Sequence, residues 1–268
     1  MRYCLHVLLL SFLIAPLAQA NLVFTSPPRE TPEKGAELYQ PIASYLSKAL
    51  GQPVEYRHPG SWPQYTQDMR DDKYDIILDG PHFAAWRVKH LGHQAAVKLP
   101  GYLEFIVVTH QSQKKIIRIQ HLGSKKVCGM PSPNMGTVSY LHNFLDATVP
   151  PTIVEIKGSF QTLYQAFRDG KCDALLMRSA IWKRMPKQDQ ADLKVVFTTE
   201  KSPNQVITVS KRVKDVDALA RAMTSPAGLQ AGDGFLNRFS KTNKKFVITS
   251  TKEYMGFEKY LEGVVWGW

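Results

Sequence analysis

Twice along this chain, short apolar runs, loops rich in Pro, Gly and Ser, and amphipathic segments follow one another in the same order, and few folds accept that pattern. Leu22 to Thr25 reads as a strand that runs into the loop Ser26-Pro27-Pro28-Arg29. A helix follows from Pro32, with Leu38, Ile42, Tyr45, Leu46 and Ala49 on one face and Gly51 as its stop. Val54 to Tyr56 is the next strand. A helix then runs from after Trp62 to about Asp72, Asp75 to Leu78 is a buried strand, and the loop Asp79-Gly80-Pro81 opens a helix at His82. Strands that alternate with helices in this way build a parallel sheet with the helices on its faces.

Tyr102 to Thr109 predicts a longer strand, and the polar stretch Gln111 to Lys125 a crossover. The alternation then restarts with strand Lys126 to Met130, helix Thr137 to Leu145, strand Ile153 to Ile156, helix Ser159 to Arg168, strand Cys172 to Met177, helix Ser179 to Met185 and strand Leu193 to Phe197. Gln205 to Ser210 is extended again and carries the chain back. Helices are expected over Asp215 to Thr224, Ala227 to Phe239 and Tyr254 to Leu261, with a short strand at Phe246 to Ile248. The expected organisation is an α/β chain of two lobes, residues 21–109 with 205–268 and residues 110–204, each a mainly parallel sheet flanked by helices, with two crossing strands as hinge. Ligands of open parallel sheets bind beyond the carboxyl ends of the strands. Four such ends carry polar or aromatic loops: Ser26 to Arg29, Asp79 to His82, Pro131 to Gly136, and Arg178 with Ser179.

The stretch from Lys126 to Tyr140 has the strand, tight loop and helix start that leave backbone N–H groups pointing at whatever lies in front of the loop. An anion fits there best. The plainer reading is a βα turn capped by Asn134 or Ser132.

Residues 1–20 read as a secretory signal peptide, with Arg2 at its start, the apolar run Leu8 to Leu17, and Ala18-Gln19-Ala20 as the cleavage site. An exported, soluble, periplasmic protein beginning at Asn21 is expected. The formal charge of +11 includes Arg2. Lys and Arg are spread rather than blocked, so a small anionic ligand is a better partner than nucleic acid. Cys128 and Cys172 remain after the signal, either as a disulfide or as two buried thiols. Neither has a His or second Cys at ligand spacing, and no metal or cofactor is expected. Hydrolysis would need a nucleophile beside a base. Asp68, Asp71, Asp72 and Asp75 are scattered by a helix end followed by a strand, and His90 and His93 lack a third partner, so an enzyme is not expected.

The helix Pro41-Ile-Ala-Ser-Tyr-Leu-Ser-Lys with Leu50-Gly51, then Met69-Arg70 with Tyr74-Asp75-Ile76, Gly80-Pro81, Pro100-Gly101-Tyr102 and Gly170-Lys-Cys-Asp173-Ala174 occur in a telling order. Together they resemble the periplasmic phosphate/phosphite/phosphonate-binding proteins of ABC importers, which have the type II periplasmic binding fold, over nearly all of the chain after the signal. The resemblance implies an aromatic pocket wall from Tyr102 and Trp62. It places the family's phosphonate-gripping loop, Asp-Pro-x-Ser-Thr-Ser-Gly, on Met130 to Gly136, where only Pro131 and Gly136 match. Pro133, Asn134 and Met135 replace the hydroxyls, Thr137 stands one step beyond, and a family histidine falls on Phe160. Arg178 lies near a polar pocket position, and with Arg29 it pairs bidentately with an anion in this reading. His82 is a further candidate contact. The resemblance also puts Cys128 and Cys172 on adjacent strands, as a disulfide requires.

The function so implied is a monomeric solute-binding protein that clamps a small anion, phosphate-like, phosphonate-like or another oxyanion-bearing solute, for the membrane permease of an ABC importer. A protein that reports the same ligand to a sensor kinase is the alternative.

Overall fold

The computed structural model describes residues 21–240, 242–265 and 268; the predicted signal peptide lies outside the described residues. Its elements in chain order are β1 (Leu22–Thr25), α1 (Pro32–Leu50), β2 (Val54–Tyr56), α2 (Trp62–Arg70), β3 (Ile76–Asp79), α3 (Pro81–Leu91), β4 (Gln94–Lys98), β5 (Tyr102–Leu103) and β6 (Phe105–His110). Then come β7 (Lys126–Gly129), α4 (Met135–Leu141), β8 (Thr152–Glu155), α5 (Phe160–Arg168), β9 (Ala174–Arg178), α6 (Ser179–Trp182), α7 (Lys187–Gln190) and β10 (Leu193–Thr198). β11 (Ser202–Pro203), β12 (Val206–Val209), α8 (Val216–Thr224), α9 (Pro226–Ala231), α10 (Asp233–Phe239) and β13 (Val247–Ile248) complete the chain, with short 3-10 turns near its end.

Two large sheets, of strand order β13-β4-β12-β3-β1-β2 and β10-β6-β9-β7-β8, and a two-stranded β11-β5 ribbon result among the described residues. In each large sheet, the strands of the predicted alternation pair in parallel: β2, β1 and β3 in the first, and β8, β7 and β9 in the second. The other half of each sheet is antiparallel, more so than alternation alone predicts, because each sheet takes in a strand that arrives from the other side. β12 enters the first sheet between β3 and β4, as the run from Gln205 suggested. β6 pairs with β9 and β10 of the second sheet. The expected boundary at residue 109 had put this strand in the first lobe. The chain therefore changes sheets at β5 and returns at β11, and these two crossings pair with each other, Leu103 with Ser202 and Tyr102 with Pro203.

The central strands β1, β3, β6, β9 and β12 are buried on both faces, as packing between helix layers requires. Leu22, Phe24, Ile76 and Leu78 meet α1 through Leu38, Ile42 and Leu46, which carries the predicted helix face into the first core. Thr31 caps α1 by accepting from the Lys34 N–H, and Gly51 ends it at φ 62°. In the second sheet, a Cys128–Cys172 disulfide ties β7 to the segment ahead of β9.

The helix predicted from Thr137 starts two residues earlier and spans only Met135–Leu141. The single helix expected over Ala227 to Phe239 is two, α9 and α10, which meet at Gly232. Among the described residues, no helix is long and apolar enough to cross a membrane.

Candidate functional site

β1 and β3 are hydrogen-bonded neighbours, so the loops leaving their carboxyl ends lie side by side. The second loop rests on a buried ion pair. Asp79 is fully buried and receives both arms of the Arg87 guanidinium, Nη1 to Oδ2 at 2.8 Å and Nη2 to Oδ1 at 2.8 Å, together with the Tyr65 hydroxyl. Thr208 of β12 accepts from Arg87 Nε at 3.2 Å and Nη2 at 2.8 Å. Burial works against the Arg87 charge, but the Asp79 carboxylate outweighs it and the pKa is raised. Burial, reinforced by Asp79, also pushes the Tyr65 hydroxyl well above its usual value.

From this footing Gly80 and Pro81 start α3 and aim His82 at the second sheet. His82 is 2% exposed, and its Nε2 lies 2.9 Å from the carbonyl oxygen of Pro133, in the loop after β7. That hydrogen bond joins two of the four predicted loop ends across the gap between the sheets. Gly80 has no room for a side chain, since a Cβ there would stand 2.9 Å from His82 Cε1. Arg29 Nη2 lies 4.0 Å from the same point, which brings the first loop into the group. Arg29 also donates to Gln205 Oε1 at 3.3 Å and lies 5.7 Å over the Phe239 ring. Beside it the Ser26 and Tyr39 hydroxyls are buried facing each other and make no hydrogen bond to a further group among the described residues. Burial raises the Tyr39 pKa, and the Arg29 charge pulls it the other way.

Across the gap, Arg178 ends β9 next to Phe105 of β6. Its Nε is buried and unpartnered, and it makes no ion pair among the described residues. Burial, together with repulsion from Arg184, lowers its pKa. A guanidinium in that condition gains from any anion brought to it.

The tip of α4 differs from the expectation of open amides. Asn134 caps the helix, taking the Gly136 N–H on its Oδ1 at 3.0 Å and the Val138 N–H on its carbonyl at 3.0 Å. Met135, Gly136 and Thr137 are buried, the Phe105 ring closes over Gly136, and Thr137 Oγ1 donates to the Met130 carbonyl at 2.6 Å. The Asn134 cap of the plainer reading is present, and it satisfies two of the tip's amides, those of Gly136 and Val138. Trp62 stacks on Phe83 at 6.0 Å and meets Tyr65 edge-on, in the layer beneath His82. Phe160 stacks on Tyr164 and packs toward the disulfide-bearing core of the second sheet. Tyr102 is 62% exposed on the β5–β11 ribbon, with Lys98 Nζ 5.3 Å over its ring. The structure thus groups Arg29 and His82 with each other and reaches the Asn134 loop through Pro133. Ser26, Tyr39 and Gln205 were not singled out in the sequence, although Ser26 opens one of the four flagged loops. Among the described residues no group of three or more His, Cys, Asp or Glu is arranged to hold a metal ion.

Solved structures that the fold matches at low sequence identity include the following three. One is methylphosphonate-bound PhnD1 of Prochlorococcus marinus, with 14% identity, 90% of this chain and 97% of that chain covered, and a TM-score of 0.60. Another is an ATP-bound protein of Xanthomonas citri, with 15% identity, 91% and 96% covered, and a TM-score of 0.67. The third is a binding-protein component of an ABC phosphonate transporter of Pseudomonas aeruginosa, with 15% identity, 88% and 83% covered, and a TM-score of 0.53. At such identities the likeness speaks for the fold, a type II periplasmic binding architecture. No curated protein sequence matches this chain. The family described as the periplasmic substrate-binding protein of phosphonate ABC transporters matches residues 24–254, and the chain belongs to that family.

Proposed function

We propose that this chain receives a small oxyanion of the phosphonate class between its two sheets and presents it to the membrane permease of an ABC importer. The family's members bind a solute in the periplasm for transport rather than transform it. In this reading the protein acts as a monomer, cleaved after Ala20, and its lobes close about the paired crossings β5 and β11. Arg29, His82, Ser26 and Tyr39 line the first lobe's side, Arg178 and the loop from Pro131 to Gly136 the second's. Tyr102 stands at the rim, and Trp62 supports His82 from below. The methylphosphonate held by the Prochlorococcus relative has the chemistry this set of donors suits.

The observation that carries the proposal is Arg178, a half-buried cation at the carboxyl end of β9 whose Nε is buried and unpartnered among the described residues. Isothermal titration of the protein from Asn21 onward with methylphosphonate, phosphite and phosphate tests it. Binding is expected for at least one, and Arg178→Ala should weaken it by about 2–5 kcal/mol, the cost of removing one partner of a buried charge pair. Flat traces for all three would sink the proposal.

A further inference from the structure

The side chains proposed for this site are mostly donors, and one of them presents a ring nitrogen that can only accept. Both guanidinium groups, Arg29 and Arg178, can only donate, and the Ser26 and Tyr39 hydroxyls can donate as well. His82 is different. Its Nε2 is 2.9 Å from the Pro133 carbonyl, and a carbonyl oxygen only accepts, so Nε2 carries the proton. The other ring nitrogen, Nδ1, is buried and has no partner among the described residues. It lies against the backbone of Gly80, 3.1 Å from where a side chain would begin, on the side shared with Arg29.

The charged groups facing this ring are Asp79 at the end of β3, Arg29 in the loop after β1 and Arg87 within α3. Burial above all lowers the ring's pKa to about 4; Arg29 and Arg87 push the same way, and the Pro133 carbonyl and Asp79 oppose them. The imidazole is therefore neutral at pH 7, and Nδ1 presents a lone pair.

We propose that His82 Nδ1 accepts a hydrogen bond from a protonated oxygen of the bound solute, so that the site selects oxyanions that keep an O–H near neutrality over fully ionised ones of the same shape. Phosphonate-type groups qualify, because their second ionisation falls near neutral pH, as for phosphate esters at about 6. Sulfonates and sulfate carry no such proton and would set an oxygen lone pair against that of Nδ1. An unmatched buried acceptor is a strong basis for rejection. This inference rests on the oxyanion reading given above and narrows its ligand class.

Methylphosphonate and methanesulfonate, nearly identical in shape, form the test, titrated separately into the protein at pH 6 and again at pH 9. The expected result is a preference of at least about tenfold for methylphosphonate at pH 6. The preference should shrink at pH 9, where the ligand and not His82 loses its proton. Two variants divide the roles of the ring. His82→Asn keeps an acceptor near the Nδ1 position but gives up the contact with Pro133, and should bind both ligands more weakly while still preferring methylphosphonate. His82→Gln can still reach Pro133 but has nothing at Nδ1, and should lose the preference. Equal binding of both ligands by the unmodified protein, or a preference undiminished in His82→Gln, overturns the inference and leaves the oxyanion receptor standing. Binding of neither ligand overturns both.

Discussion

The loop after β3 and the loop after β7 do the same job of turning a strand into a helix toward the gap, yet they are held in opposite ways. The first rests on side chains from other elements: Arg87 of α3 and Tyr65 of α2 converge on Asp79, and Thr208 of β12 accepts from Arg87. The second is held mainly by hydrogen bonds within itself and to the adjacent strand β8, with the Phe105 ring over Gly136. Asn134 caps α4, Thr137 ties back to Met130, and the Ser132 N–H donates to Glu155 Oε1 at 3.2 Å. The contrast teaches where the recognition geometry is fixed. A loop anchored in a packed core keeps its side chains in one place, whereas one closed on itself can follow the partner it meets.

The most direct way to break this contrast is to remove the anchor. Arg87→Ala leaves the fully buried Asp79 carboxylate without its counter-ion, and breaking such a pair costs about 3–5 kcal/mol. For a chain of this size that is a fall in Tm on the order of 10 °C, readable by circular dichroism. A loss near 1 kcal/mol would mean that the first loop is no more firmly held than the second.

Acid sharpens the same contrast by a smaller amount. His82 and His93, both packed on the first sheet, have pKa values lowered to about 4. Burial is the main cause for each; at His93 it prevails together with the Arg87 and Arg212 charges over the Asp72 carboxylate 2.8 Å away. In the unfolded chain these rings titrate near 6.5. Between pH 6.5 and 4 the unfolded state therefore binds protons that the native state refuses, so stability drops as the pH falls through that window and is flat above it. At pH 5.5 each ring accounts for a loss on the order of 1 kcal/mol. Urea titrations from pH 7.5 to 5 should show this slope, and His82→Asn should flatten part of it. An unchanged slope in that variant would place the acid sensitivity elsewhere.

How much of this was legible in the sequence follows from the range of the forces involved. β1 and α1 are readable because apolar runs, Pro32 and Gly51 act locally, and the structure places both where the sequence does. β4 escaped notice: Gln94-Ala-Ala-Val-Lys98 has one β-branched residue, and its strand character comes from pairing with β12 and β13. β6 pairs in the second sheet although it precedes the crossover in the chain, since sequence order does not reveal which partner a crossing strand finds. At the site, Arg29, His82 and Arg178 could be found from strand ends alone. Tyr39 could not, because it lies among the apolar residues of α1 and nothing local marks its hydroxyl as buried beside Ser26. Nor could the closure of the α4 tip, which depends on Phe105 arriving from a strand thirty residues earlier.

The smallest effect bears on that tip. Asn134→Ala removes a side chain that is exposed and whose one hydrogen bond among the described residues is the cap to Gly136, so no cavity opens and the cost should be that of a lost N-cap, about 1 kcal/mol. Its effect on binding is the more telling half. If the oxyanion is held by Arg29, His82 and Arg178, freeing one amide of a seven-residue helix should change methylphosphonate affinity by less than about threefold, because the dipole of so short an element is weak beside two guanidinium charges. Urea denaturation and isothermal titration on the same preparation separate the two quantities. A tenfold change in affinity with only a cap's worth of lost stability would put the anion at the helix tip after all. The loop after β7 would then set the recognition geometry, with His82 and its anchored loop in support.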